Sequence, residues 1–163
     1  LNFEEILAAN EEFAKAFKSS DLTGRAAEGL AIVTCMDSRI DPLRVVGMKS
    51  GDAKILRNAG ARVTEDVLRT LVLATHLLNV SRVLVMPHTD CRMASGTEAQ
   101  VHEAIQKSSG IDTRSIEIRT VTDQKAALET DVLRIKSFPF LPKAIEVMGA
   151  IYDVKSGKLQ RII

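Results

Sequence analysis

Tryptophan is absent from this 163-residue chain, and all aromatic side chains together make up 4% of it. Nucleic-acid binders carry a basic stripe with stacking aromatics interleaved. Here 22 basic and 21 acidic side chains are mixed along the whole length, leaving a net charge of +1, so no nucleic-acid partner is expected. No apolar run approaches the roughly 18 to 20 residues that a spanning helix needs, and no membrane partner is expected either. Two cysteines are too few for a disulfide framework. No repeat, low-complexity tract or linker interrupts the chain, and residues 1–163 read as one domain.

What is present is an alternation of short β-branched runs with amphipathic stretches. Phe3, Ile6, Leu7, Ala14 and Phe17 recur at roughly helical spacing and predict an N-terminal helix. Leu30–Cys35, Ala53–Arg57 and Arg82–Met86 read as buried strands. Between them Pro42, with Asp41 as cap, starts a short helix, and Thr64 caps a longer one that carries Val67, Leu68, Leu71 and Val72. Helices follow at Glu98–Lys107 and Asp123–Lys136, then a strand at Val147–Tyr152, a tight turn and a final antiparallel strand at Leu159–Ile162. The expected fold is α/β: a mostly parallel sheet of four strands plus an antiparallel fifth edge strand, with helices on both faces. In such sheets ligands gather beyond the carboxyl ends of the strands, where strand order reverses. Cys35 ends the first strand, and His88 and Cys91 follow the third. If those strands are neighbours, the three side chains converge.

Two thiolates and one imidazole suit zinc, and three protein ligands leave a fourth tetrahedral position open, as in catalytic rather than closed structural sites. The competing reading makes His88 a capped turn residue and Cys91 an inert small hydrophobe. Direct Cys35–Cys91 pairing is the alternative in an oxidising compartment, but a reducing cytoplasm fits two thiols beside ionisable groups better. Asp37 and Arg39 lie two apart, so an extended backbone points both the same way. An Arg fork can then orient the carboxylate towards the metal; otherwise the two form an ordinary turn salt bridge. Met36 and Met93 flank the ligands as apolar pocket wall. Asp90, between two ligands, is expected to hydrogen-bond the ligand loop. His76 and His102 read as surface or packing residues.

Cys35-Met36-Asp37-Ser38-Arg39, Arg57-Asn58-Ala59-Gly60 and His88-Thr89-Asp90-Cys91 together resemble the β-class carbonic anhydrases, most closely the compact archaeal and actinobacterial branch. The resemblance covers nearly the whole chain. It implies reversible hydration of carbon dioxide to bicarbonate and a proton. It implies zinc on Cys35, His88 and Cys91, a working dyad of Asp37 and Arg39, and a pocket walled by Asn58, Ala59 and Gly60. In some members the aspartate swings onto the metal as a fourth ligand, which closes the site. Members are dimers or higher oligomers, and their N-terminal helix packs on a partner subunit.

One departure stands out. The family usually has glycine directly after the second cysteine, where this chain has Arg92. If that position needs a positive φ or a close backbone approach, Arg92 strains the loop; its cation either reaches the pocket or points to solvent. Three other readings stay open: hydrolysis of carbon disulfide or carbonyl sulfide at the same site, a zinc-binding homologue impaired by Arg92, and a cysteine-based redox protein.

Overall fold

Five strands form one sheet, running across it as Ala53–Asn58, Leu30–Cys35, Arg82–Met86, Glu146–Tyr152 and Leu159–Arg161. The computed structural model describes all 163 residues and gives β1 as Leu30–Cys35, β2 as Ala53–Asn58, β3 as Arg82–Met86, β4 as Glu146–Tyr152 and β5 as Leu159–Arg161. The first four strands run parallel, and β5 pairs antiparallel with β4 at the edge. The expected architecture is the one found. Strand ends differ by a residue: β2 runs on through Asn58, and β5 stops at Arg161.

Capping residues start the helices where the sequence places them. α1 (Phe3–Lys15) opens with a capping box between Asn2 and Glu5, and α2 (Pro42–Val45) has Asp41 accepting from the Arg44 N–H. Thr64 caps α3 (Glu65–Leu77), Thr97 caps α4 (Glu98–Ser109) and Asp123 caps α5 (Gln124–Lys136). Each such cap contributes about 1 kcal/mol by satisfying a helix N–H that has no partner within the helix. Gly110 ends α4 in the left-handed region, with φ +75°.

The core has two parts, one on each face of the sheet. Ala31, Val33, Val83 and Val85 pack against Val67, Leu68 and Leu71 of α3 and Leu128, Val132 and Ile135 of α5. On the other face Ile32, Leu84, Met86 and Ala150 pack with Ile40 and Met93, covered by Val45 of α2 and by Ile118. The segment carrying Ile118 is held by Glu98, whose carboxylate accepts the backbone N–H groups of Ile118, Arg119 and Thr120. Those bonds, from Thr120 foremost, bring the Glu98 carboxyl down to about 2. His102 lies buried in α4, its Nδ1 2.8 Å from the Thr113 hydroxyl, and His76 stands exposed against the Phe140 carbonyl. No helix is long and apolar enough to cross a membrane.

α1 is different. None of its residues is buried, although Phe3, Ile6, Leu7 and Phe13 lie along it and Phe17 just beyond its end. Fully burying one such side chain is worth roughly 1.5 to 3 kcal/mol, so the isolated chain leaves a substantial driving force unused.

The site depends on topology. From β1 the chain crosses to β2 on one side and then to β3 on the other, so loops leaving the carboxyl ends of β1 and β3 diverge around a crevice. The β1–β3 register pairs Thr34 with Met86, which brings Cys35 level with the start of the loop that carries His88. Between β2 and α3, and after Cys91, the chain makes three-residue 3-10 turns at Ala59–Ala61 and Arg92–Ala94. These turns are too short to leave a hydrophobic period by which a sequence could announce them.

Candidate metal centre

Cys35, His88 and Cys91 come together at the β1–β3 crevice. One donor atom from each lies within 4.8 Å of the other two, and the residues are only 5%, 1% and 7% exposed. The sulfurs stand 4.0 Å apart and both thiols are free. Two thiolates on one tetrahedral zinc, each at about 2.3 Å, would be separated by about 3.8 Å, close to the spacing found. A disulfide, at about 2.05 Å, would not fit without movement.

The imidazole supplies an independent test of fit. His88 Nδ1–H donates to the Thr89 carbonyl at 2.7 Å, which fixes the tautomer and leaves Nε2 with a lone pair. Nε2 is buried and has no hydrogen-bond partner within the protein. An unpaired polar atom in the interior costs about 1 to 3 kcal/mol, and a metal ion facing the two sulfurs removes that cost. The donor set fits zinc. Burial pushes the Cys91 thiol up, partly offset by the N–H groups of Met93 and Ala94; a bound dication reverses that direction outright.

The ligands are held by their neighbours. Gly60 N–H points at Cys35 Sγ at 3.4 Å. Gly60 has φ +82°, and a Cβ there would sit 3.1 Å from Met93 Cβ. Gln124 donates to the His88 carbonyl at 2.8 Å, and Thr89 is tied to β4 through the Tyr152 carbonyl. Arg57 donates to the carbonyls of Cys35, Asp37 and Ile40, so one guanidinium fixes the turn after β1. Asp131, 2% exposed, accepts from Arg62 and from the Val63 N–H, docking the 59–63 segment on α5.

Asp37 and Arg39 do form a pair, but not through an extended backbone. Residues 37–40 make a turn, and the Asp37 carboxylate accepts the Arg39 backbone N–H at 2.9 Å as well as its guanidinium at 3.0 and 2.8 Å. Those bonds hold the Asp37 carboxyl well below the usual carboxylate range, and the Arg39 guanidinium correspondingly above its own. Asp37 Oδ2 lies 3.7 Å from His88 Nε2, so the ionised carboxylate faces the donor cluster. Asp90 bonds across to Arg39 rather than to its own loop.

The other sequence-derived residues are placed as follows. Ala59 is half-buried beside the ligands and Met93 is buried under Gly60. Both ends of the Asn58 amide are engaged by the Arg62 backbone, so this side chain braces the turn. Met36 is 68% exposed and stands apart from the buried cluster that contains Met93. Arg92 is exposed and donates to Ser95 at 3.1 Å; the positive φ in this loop, 54°, belongs to Asp90. The expected strain at Arg92 is therefore absent, because the loop places its left-handed residue two positions earlier, where an aspartate tolerates it. Gln124 and Asp131 escaped the sequence reading, and Arg57 entered it only as part of a motif with no role of its own, since each acts through a contact between distant segments.

Comparison with known proteins agrees with this geometry. A family model described as "Carbonic anhydrase" matches residues 30–159. Beta-carbonic anhydrase 1 of Mycobacterium tuberculosis is 36% identical over 160 residues, covering 98% of this chain and 96% of that protein. The crystal structure of a carbonic anhydrase from Streptococcus mutans superposes with a TM-score of 0.91 at 35% identity, covering 99% and 97% of the two chains. A carbon disulfide hydrolase of Acidianus is 27% identical over 158 residues, covering 81% of this chain and 76% of that protein.

Replacing Gly60 with alanine combines a positive φ with a clash against Met93, at a combined cost of about 1 to 3 kcal/mol. The expected result is a lower melting temperature and weaker zinc retention against a chelator, measured on purified protein. Unchanged values for both would show that the Gly60 turn does not support Cys35.

Proposed function

The chain belongs to the β-carbonic anhydrase family, whose members are zinc lyases, and from that membership we propose that it hydrates carbon dioxide reversibly to bicarbonate and a proton with zinc on Cys35, His88 and Cys91. The observation that carries the reading is the orphaned, buried Nε2 of His88 facing two free thiols. Zinc, when bound, supplies the Lewis acidity that makes water a nucleophile near neutral pH.

The chain's own residues do the rest. Asp37 remains ionised under Arg39, so its Oδ2 can only accept a hydrogen bond. It orients the attacking water so that an oxygen lone pair is directed at the substrate carbon. Arg39 holds that carboxylate in place with a two-pronged grip. Asn58, Ala59, Gly60 and Met93 make the wall behind the ligands: Gly60 and Met93 pack together, and Asn58 locks the turn that carries Ala59 and Gly60. The proton released passes to solvent or buffer.

Carbon disulfide or carbonyl sulfide hydrolysis at the same site is the second reading. It is favoured by the Acidianus relative, but at 27% identity against 36% for the mycobacterial enzyme. A zinc-binding homologue disabled by Arg92 loses its rationale, since that side chain is exposed and bonded to Ser95.

We further propose a homodimer or higher homo-oligomer in which α1 packs on a partner subunit. Its support is a helix with Phe3, Ile6, Leu7 and Phe13 and no buried residue. A cytoplasmic location suits two unbonded, buried thiols.

Stopped-flow measurement with carbon dioxide, disulfide and oxysulfide tests the activity. Zinc-loaded protein should hydrate carbon dioxide fastest between pH 7 and 9, Asp37→Ala should slow it about a hundredfold, and Arg92→Gly should stay within about twofold of the parent. A zinc-independent rate, or none, would sink the proposal. Light scattering on chains with and without residues 1–18 tests the assembly. Loss of α1 should halve or further reduce the mass, and an unchanged mass would refute its part in the interface.

A further inference from the structure

Arg39 makes more bonds than a dyad needs. Two of its guanidinium nitrogens hold Asp37, at 3.0 and 2.8 Å. Its Nη1 donates to Asp90 Oδ2 at 2.8 Å, and its Nη2 also reaches the Asp90 carbonyl at 3.1 Å. Asp37 follows β1 and Asp90 follows β3, so this one side chain bridges the loop carrying Cys35 and the loop carrying His88 and Cys91. The backbone leading into Asp90 is held independently of Arg39. The preceding residue, Thr89, is pinned on both sides, by its N–H to the Tyr152 carbonyl and by its hydroxyl, which accepts from the Val154 N–H at 3.1 Å. Asp90 itself adopts φ 54°, a left-handed conformation that carries its carboxylate off the strand direction.

The consequence concerns Asp37. Its Oδ2 is already 3.7 Å from His88 Nε2, so the carboxylate would compete for a metal held by that nitrogen and the two sulfurs. What opposes that competition is the Arg39 fork, and a long side chain that is 44% exposed does not hold a fixed orientation by itself. Asp90, itself 68% exposed, gives the Arg39 guanidinium a second carboxylate to hold.

We propose that Asp90 is a positioning residue: by anchoring Arg39 to the second ligand loop it keeps Asp37 off the metal and the fourth coordination position open to exchangeable ligands. This rests on the zinc-site reading given above, and goes beyond it by assigning the open state to a residue outside the ligand set and the dyad.

Cobalt(II) substituted for zinc gives a direct readout, because its visible absorption changes when the fourth ligand changes. Parent, Asp90→Ala, Asp90→Glu and the double variant Asp90→Ala/Asp37→Ala would be loaded with cobalt and titrated with thiocyanate at one fixed pH. The parent should bind the anion with a clear spectral change. Asp90→Ala should bind it about fivefold more weakly, with a resting spectrum shifted towards an added carboxylate ligand. Asp90→Glu should recover part of the affinity, and the double variant should recover most of it, because no carboxylate is left to occupy the site. A general loosening of the loop would not be relieved by removing Asp37 as well. If Asp90→Ala bound thiocyanate within twofold of the parent, or the double variant stayed as weak as the single one, the assignment of Asp90 would be overturned while the metal site stood. Absence of a thiolate-to-cobalt charge-transfer band in the parent would instead overturn the zinc-site reading, and this inference with it.

Discussion

The parallel pairing of β1 with β3 is the constraint on which everything else depends. It sets Thr34 against Met86, so two loops that are more than fifty residues apart in sequence leave the sheet side by side. A slip of one residue would reverse the faces of the strand and carry Cys35 away from His88. The register is protected by burial on both faces, where Ile32 and Leu84 pack into one core and Val33 and Val85 into the other. Stability and site geometry are therefore specified by the same contacts. The β1–β3 boundary is also where strand order reverses, so the crevice needs no insertion to exist.

Around that crevice, support is layered outward. The three donors face one another, and each is restrained by a backbone or side-chain bond from a different element: Cys35 by Gly60, His88 by Thr89 and Gln124, Cys91 by the turn that follows it. Arg57 and Arg39 then fix the turn after β1 from two directions, one through carbonyls and one through carboxylates. Rigid placement of this kind is what a metal site needs, since ligand spacing and orientation set affinity as much as ligand identity does. An exposed ion pair usually contributes 1 kcal/mol or less to stability. The role proposed for the Asp37–Arg39–Asp90 chain is accordingly one of orientation, not of holding the fold together.

Much of this was legible in the sequence because it is written in local pattern. β-branched runs ending in Cys35 and Met86 gave the strands, and Asp41 and Thr64 marked two of the helix starts. Convergence of Cys35, His88 and Cys91 followed once strand adjacency was assumed. What could not be read are contacts that depend on register and turn geometry. Arg39 and Asp90 are 51 residues apart, and Gln124 lies 36 from His88. No spacing rule links such pairs. The geometry of Asp37 and Arg39 was misread for a related reason. A period-two argument holds for strands, whereas residues 37–40 form a turn whose carboxylate accepts a backbone N–H. The concern over Arg92 arose in the same way: the positive φ of this loop sits at Asp90, and sequence alone does not show which residue takes it.

We propose that one zinc ion is held by two sulfurs and one imidazole nitrogen, from Cys35, Cys91 and His88, with a fourth position left for a light-atom ligand. X-ray absorption at the zinc edge, on protein loaded to one equivalent, tests it most directly. Two sulfur scatterers at about 2.3 Å and two nitrogen or oxygen scatterers at about 2.0 to 2.1 Å are the expected shell. A shell of four sulfurs, a shell without sulfur, or failure to retain stoichiometric zinc would contradict the account.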